Sequence, residues 1–255
     1  MYSINDYNVL HKIYRQWLSE RKHFQNQYSA LKLILSMRDF KKEIKILDAA
    51  SGTGDVVLKL FEDGYSNLYA VDASPYMLSQ WPAGEYNICK RINNWENLTT
   101  VFCDWGYFDV IFFLGHSLPH ISPEKLPNLF SCIFGGLNEG GVLAFDIRPW
   151  SILHNGRLVQ QGREEGVKRL LGEFEVDRSQ YWLFEEVFYL KKVQNVQYHF
   201  IPQSPDGQYI SETLQYNMYH WKDAIKLLSD SGFPEKNVSI LEIPQWPYLV
   251  ITAKK

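Results

Sequence analysis

An α/β fold built on a mostly parallel sheet is predicted by three observations. Short apolar runs near residues 44–49, 67–72, 99–103, 108–114 and 141–147 alternate with helical or turn patterns, as βαβ units do. The run Ile44-Lys45-Ile46-Leu47-Asp48 leads directly into Ala49-Ala50-Ser51-Gly52-Thr53-Gly54-Asp55, which reads as a strand, a glycine turn and a helix start. After Trp150 the apolar period changes to two, which adds antiparallel strands to the parallel set.

In chain order, residues 6–38 come first, with Val9, Leu10, Ile13, Tyr14 and Trp17, then Leu31, Leu33, Ile34 and Leu35, at helical spacing. This segment, within residues 1–40, is expected to be a helical cap over the ligand edge of the sheet. Asp55 is expected to cap the helix from Val56 to Phe61. Asn67 to Asp72 is the second strand, and Ser74-Pro75 supplies the cap and first residue of the helix that follows. Pro123 to Phe134 reads as the helix after the fourth strand, ended by Gly135-Gly136. Tyr181 to Leu190, Val193 to Ile201 and Tyr209 to Tyr219 are the antiparallel strands, with a turn at Pro205-Asp206-Gly207. They predict a lid insertion, residues 151–219, over the substrate. A helix from Trp221 to Ser229 and strands Val238 to Leu241 and Tyr248 to Ala253 complete one domain, residues 1–255, without linker or repeat.

Composition bounds the partners. A net charge of −3, with both signs interspersed, gives no electrostatic footprint for nucleic acid and no basic block for a membrane surface. The start of the chain lacks the regions of a signal peptide, and no apolar run approaches the ~18 residues of a membrane span, so a cytoplasmic protein acting on a small molecule is expected. Cys89, Cys103 and Cys132 are too few and too widely spaced for a disulfide framework or a zinc site, and no metal is expected.

The glycine turn points to a ligand. A dinucleotide fingerprint needs a third glycine, and Val57 stands there. An acidic residue leading the turn, Asp48, suits a cationic ligand such as S-adenosylmethionine, with its sulfonium and ammonium, although a glycine pair after a strand is also simply a turn. Asp72, ending the second strand, is placed to accept two ribose hydroxyls; Ser74 caps the following helix and leaves Asp72 free for that role.

The ordered motifs resemble those of the class I S-adenosylmethionine-dependent methyltransferases, and within them the glycine N-methyltransferase-like group. Leu47-Asp48-Ala49-Ala50-Ser51-Gly52-Thr53-Gly54 is similar to that group's L-D-V-A-C-G-T-G, and Val71-Asp72-Ala73-Ser74 with Met77-Leu78 to its V-D-A-S-x-x-M-L. Phe108-Asp109-Val110-Ile111 through Leu114-Gly115-His116-Ser117-Leu118-Pro119-His120 resembles its F-D-A-V-I-C-L-G-N-S-F-A-H, and Asp146-Ile147-Arg148 after Gly140-Gly141 its D-H-R segment. The resemblance implies a Rossmann-like fold: a seven-stranded, mostly parallel sheet with an antiparallel β lid inserted after strand five. It implies S-adenosylmethionine as cofactor, S-adenosylhomocysteine as product, and cofactor contacts from Asp48, Ala50, Gly52, Gly54, Asp72, Ala73, Met77 and Leu114. Asp104 and Trp105 correspond to an Asn-Trp pair lying against the adenine, and Tyr7 and Trp17 to aromatic residues that close over the cofactor. A homo-oligomer stays open, since the chain begins later than the family's and the tetrameric arm arrangement gains no support.

For the acceptor, the resemblance implies that Arg148 holds a substrate carboxylate through its planar fork, the alternative being a salt bridge to Asp146 or Glu173. His116 stands where the family has asparagine, which puts glycine itself in doubt as the substrate; a neutral imidazole there can take a proton from an amine or hydroxyl. His120 matches the family histidine and reads mainly as a loop-fixing residue. By the same resemblance, Tyr216 and Tyr219 lie where lid tyrosines of the family approach the acceptor. The expected reaction is methyl transfer to the nitrogen of a small amine, including an amino acid. The alternatives are O-methylation, methylation of an amino sugar or other natural-product amine, and a protein that binds the cofactor without turnover.

Overall fold

The computed structural model describes residues 7–20, 23–84, 86–149, 167–190, 193–244 and 246–255. Its first five strands are β1 (Ile46–Asp48), β2 (Leu68–Asp72), β3 (Ile88–Ile92), β4 (Phe108–Phe113) and β5 (Leu137–Ile147). The next four, β6 (Val167–Val176), β7 (Ser179–Leu190), β8 (Val193–Pro202) and β9 (Ile210–Asn217), form a separate antiparallel sheet in sequence order. The last two, β10 (Val238–Glu242) and β11 (Leu249–Lys254), return to the first sheet. That sheet has seven strands in the order β10-β11-β5-β4-β1-β2-β3, all parallel except β11.

Two-sided burial explains why the central strands read as continuous apolar runs. In β4, Val110 and Phe112 face one layer and Ile111 and Phe113 the other. The first layer contains α2 (His23–Met37) and α3 (Asp55–Glu62), packed through Leu31, Ile34, Val57 and Leu60. The second contains α5 (Leu98–Trp105), α6 (Leu126–Gly136) and α7 (Trp221–Asp230), packed through Leu98, Val101, Phe130, Ile133 and Leu228. The short α4 (Pro75–Ser79) begins as the sequence indicates, with Ser74 Oγ accepting from Met77 N and Pro75 at the first position. A third core joins α1 (Leu10–Glu20) to the lid: Leu10, Ile13, Trp17 and Leu18 pack with Phe174, Leu183, Phe200 and Leu214.

Several expectations are corrected. Residues 99–103 are not a strand: they lie in α5, where Leu98 and Val101 are buried three residues apart and the adjacent threonines misled the reading. The third strand is instead β3, an edge strand with exposed Cys89 and Lys90, hence without an apolar alternation to read. Asp55 does not cap α3. Gly54 does so in a left-handed conformation (φ 81°), while Asp55 occupies the first turn. The lid has a further strand, β6, and residues 150–166 at its entrance lie outside the described residues. Among the described residues no helix is long and apolar enough to cross a membrane.

Candidate active site

β1 pairs with β2 on one side and β4 on the other, so the chain connections diverge there and the strands' carboxyl ends open a crevice. A cavity of about 1010 Å³ fills it. Its floor is the glycine turn. Ala49 N donates to Phe112 O at 2.8 Å and Ser51 N to Val71 O at 3.0 Å, which stitches the turn to both neighbouring strands. Gly54 (φ 81°) cannot carry a side chain: a Cβ there would lie 2.4 Å from Trp81 Cε2, and Trp81 is pinned by its Nε1 donating to Gly52 O at 3.0 Å. On the outer side Arg15 of α1 grips the same turn, Nε to Asp55 Oδ1 at 2.8 Å and a terminal nitrogen to Thr53 O at 2.7 Å.

Two carboxylates face this floor. Asp72 accepts Gly52 N on one oxygen at 2.7 Å and Ser74 N on the other at 2.8 Å, which fixes its plane; burial nevertheless holds its pKa above the ordinary value. Asp48 is nearly inaccessible and accepts the Ala50 amide at 3.2 Å, and desolvation raises its pKa well above the ordinary range. A cationic ligand would relieve that cost. Ser51 Oγ is buried in the cavity without a hydrogen-bond partner among the described residues, and so is Asn93 Oδ1. Ile92, Met77 and Trp95 supply apolar wall, and Trp95 Nε1 donates to Ala49 O at 2.6 Å. Carboxylates suited to a cation and to hydroxyl groups and an apolar wall suited to a flat ring thus lie in one cavity, which fits the chemistry of S-adenosylmethionine.

The opposite face comes from the cap and the lid. Tyr7, Tyr14, Phe24 and Gln27 reach it from the amino-terminal side, and Gln215 and Asn217 from β9. Tyr7 Oη lies 3.2 Å from His120 Nε2, and the His120 ring is 4.8 Å from that of Tyr216. Burial pushes His120 down to about 4, opposed only in part by a hydrogen bond to the Gln215 backbone, so the imidazole is neutral at pH 7.

Of the residues singled out in the sequence, Tyr7, Asp48, Ala50, Gly52, Asp72, Ala73, Met77, Leu114 and His120 line this cavity. Gly54 shapes the turn from beneath. Asp104 and Trp105 do not line it: they end α5, where Asp104 meets Arg91 at 2.6 Å and Trp105 lies under the Arg91 guanidinium. An Asn-Trp pair that does line the cavity is Asn94-Trp95, which follows β3. Trp17 packs against Tyr198 in the third core rather than over the crevice. Tyr219 closes the second layer and donates to Ile121 O.

His116 and Arg148 sit behind the cavity. His116 has a left-handed backbone (φ 64°), its N–H donates to both Asp146 oxygens at 2.9 and 3.1 Å, and its ring packs between Tyr216 and Tyr248. Burial, then the Arg148 charge, holds its pKa well below the ordinary value. Arg148 donates to Tyr248 Oη at 2.9 Å. Asp146 braces this strand end, its own pKa pushed by burial to about 7. Tyr14, Gln27, Trp95 and Asn217 were missed; only Asn94-Trp95 carried a readable signal.

Residues 46–141 match a family model described as a methyltransferase domain. The match takes in β1 to the start of β5 with the glycine turn, and together with the fold it supports a class I S-adenosylmethionine-dependent methyltransferase with S-adenosylmethionine as cofactor. The chain is 29% identical over 128 residues to a glycine/sarcosine N-methyltransferase of Parasynechococcus marenigrum, a match spanning 46% of this chain and less than half, 43%, of that protein. Among solved structures, a S-adenosylmethionine-bound amino pentose methyltransferase of Micromonospora echinaspora superposes with a TM-score of 0.71 at 14% identity, covering 95% of this chain and 96% of the other. A sugar N-methyltransferase of Streptoalloteichus sp gives 0.71 at 16% identity, covering 93% and 91%. At such identities the superpositions establish the fold.

Proposed function

We propose that the protein transfers a methyl group from S-adenosylmethionine to the nitrogen of a small amine. The observation that carries the reading is the two-faced cavity: Asp48, Asp72 and the glycine turn on one side, and the uncharged Tyr7–His120 pair with Gln215 and Asn217 on the other. Bound on the first face, S-adenosylmethionine supplies a methyl carbon already activated by positive sulfur. Asp72, its plane fixed by two amides, offers its remaining lone pairs to ribose hydroxyls. Asp48 and the Ala50 to Gly52 turn take the cationic aminoacyl end, and Ile92, Asn93 and Trp95 take the adenine.

The chain's own contribution is orientation. Holding the nucleophile about 3 to 3.5 Å from the methyl carbon and in line with the leaving sulfur is worth on the order of 7 to 11 kcal/mol of effective-molarity advantage. The amine must enter without its extra proton. A neutral His120 and a Tyr7 hydroxyl, whose pKa burial raises well above 10, provide hydrogen-bonding groups that carry no negative charge to hold an ammonium.

A hydroxylated amine, such as an amino sugar, suits the neutral polar side chains Gln27, Ser117, Gln215 and Asn217 that line the cavity. An amino acid is the second reading, and it requires Arg148 to exchange its contact with Tyr248 for a substrate carboxylate. The test is mass-detected transfer of labelled methyl over a panel of amino sugars, amino acids and hydroxyl acceptors. Activity on amines that is lost in Asp72→Ala supports the reading, and an Arg148→Ala loss confined to carboxylated acceptors selects the amino acid form.

A further inference from the structure

β9 holds the backbone beside each half of the Tyr7–His120 contact, at two different residues. Glu212, near its start, turns its carboxylate to the beginning of α1: Asn8 N donates to Oε1 at 2.6 Å, and Val9 N and Leu10 N donate to Oε2 at 3.0 and 2.8 Å. The first amides of a helix have no partner within it, and a carboxylate there also meets the positive end of the helix dipole. The cap is thus supplied by the lid, 200 residues away in sequence. Tyr7 directly precedes these amides and holds a left-handed backbone (φ 50°), so the carboxylate fixes the point from which Tyr7 enters the cavity.

Five residues on, Asn217 Nδ2 donates to Pro119 O at 3.1 Å and Ile121 O at 2.8 Å, bracketing His120 from both sides. The residue types fit these tasks. Two carboxylate oxygens serve three amides, and the two hydrogens of one amide nitrogen serve two carbonyls. Both contacts sit at the margin of a packed core, since Leu10 and Ile13 of α1 are buried with Leu214 of β9.

We propose that Glu212 and Asn217 are positioning residues for the methyl acceptor: one lid strand sets Tyr7 through the start of α1 and His120 through its turn. The proposal rests on the reading of the cavity as an N-methyl-transfer site. Glu212 acts through Tyr7, so its effect on catalysis should vanish when Tyr7 is already disabled.

The experiment has two arms. In a double-mutant cycle, Glu212→Gln is expected to lower kcat/KM about tenfold in the parent but less than about twofold in a Tyr7→Phe background, with the dissociation constant for S-adenosylmethionine held within about twofold. Equal losses in both backgrounds would overturn the proposal. The second arm needs no turnover: the His120 ring is titrated by NMR in the parent, Glu212→Gln, Glu212→Ala and, as control, Thr213→Ala on the exposed face of β9. The described groups facing His120 are Tyr7 from the amino-terminal segment, Tyr216 from β9 and His116 from its own turn. Releasing Tyr7 admits water, so the His120 pKa should rise from about 4 toward the ordinary imidazole value in the Glu212 variants and stay put in the control. An unchanged titration in Glu212→Gln, the variant that keeps one acceptor oxygen and the fold, would refute the positioning role. Failure of the parent to methylate any amine would remove the functional reading and leave the titration to decide the positioning.

Discussion

Asp72 is oriented by the protein before any ligand binds, because the Gly52 and Ser74 amides already occupy one site on each oxygen. Asp72→Ala takes away the acceptor of both those amides and the proposed ribose acceptor, so calorimetry should show S-adenosylmethionine binding weakened by at least about a hundredfold, or about 3 kcal/mol, with Asp72→Asn intermediate. His120 and Asp146 titrate in opposite directions. The His120 pKa is depressed in the folded state, so its contribution is fully present above about 6.5 and is lost as the pH falls toward about 4. Asp146 is raised to about 7, so the protein loses stability as the pH rises from the ordinary carboxylate value through about 7. Denaturant melts of His120→Gln should therefore show a shallower fall than the parent between pH 6.5 and 4.5. The difference should be on the order of 1 to 2 kcal/mol, given that the ring is only half-buried. An identical acid limb in the two proteins would mean that the ring is already hydrated in the native state.

The turn between β1 and α3 is the element whose geometry constrains sequence most tightly. Gly54→Ala forces a left-handed backbone on alanine and drives a methyl group into a pinned Trp81, and should cost at least about 2 kcal/mol in urea denaturation. Gly52→Ala meets only the flexible end of Met77 at 3.3 Å and should cost nearer 1 kcal/mol. Equal losses would show that Trp81 yields. The same turn was legible in the sequence apart from its cap, which is Gly54 and not Asp55, because its apolar strand, its two glycines and its acidic flank each have a local cause. β3 and α5 were not. β3 is an edge strand with little apolar burial to mark it, and Thr99-Thr100 imitates a strand where the buried positions keep helical spacing. That shift led the sequence reading to Asp104-Trp105, while Asn94-Trp95 is the pair that lines the cavity. Trp17, Tyr14 and Asn217 depend on how α1 docks on the lid, a tertiary contact that no local pattern encodes.

At the scale of the molecule, the helices on the two faces of the sheet and the joined α1–lid core are three separate apolar clusters. Phe200→Ala, at a fully buried position of the third, should cost about 3 to 5 kcal/mol locally. Hydrogen exchange should accelerate together in α1 and β6 to β9 while β1, β2 and β4 keep their protection. Uniform acceleration across both sheets would mean that the clusters melt as one unit. The proposed function puts the cofactor on the parallel sheet and the acceptor on the face closed by cap and lid. Single-turnover methyl transfer from labelled S-adenosylmethionine to a panel of small amines, in the parent and in Tyr7→Phe and Asp72→Ala, tests that division directly. One methyl gained on an amine nitrogen is expected, with Asp72→Ala failing at cofactor binding and Tyr7→Phe binding cofactor normally but transferring slowly. Transfer undiminished by Tyr7→Phe, or methyl found only on oxygen, would contradict it.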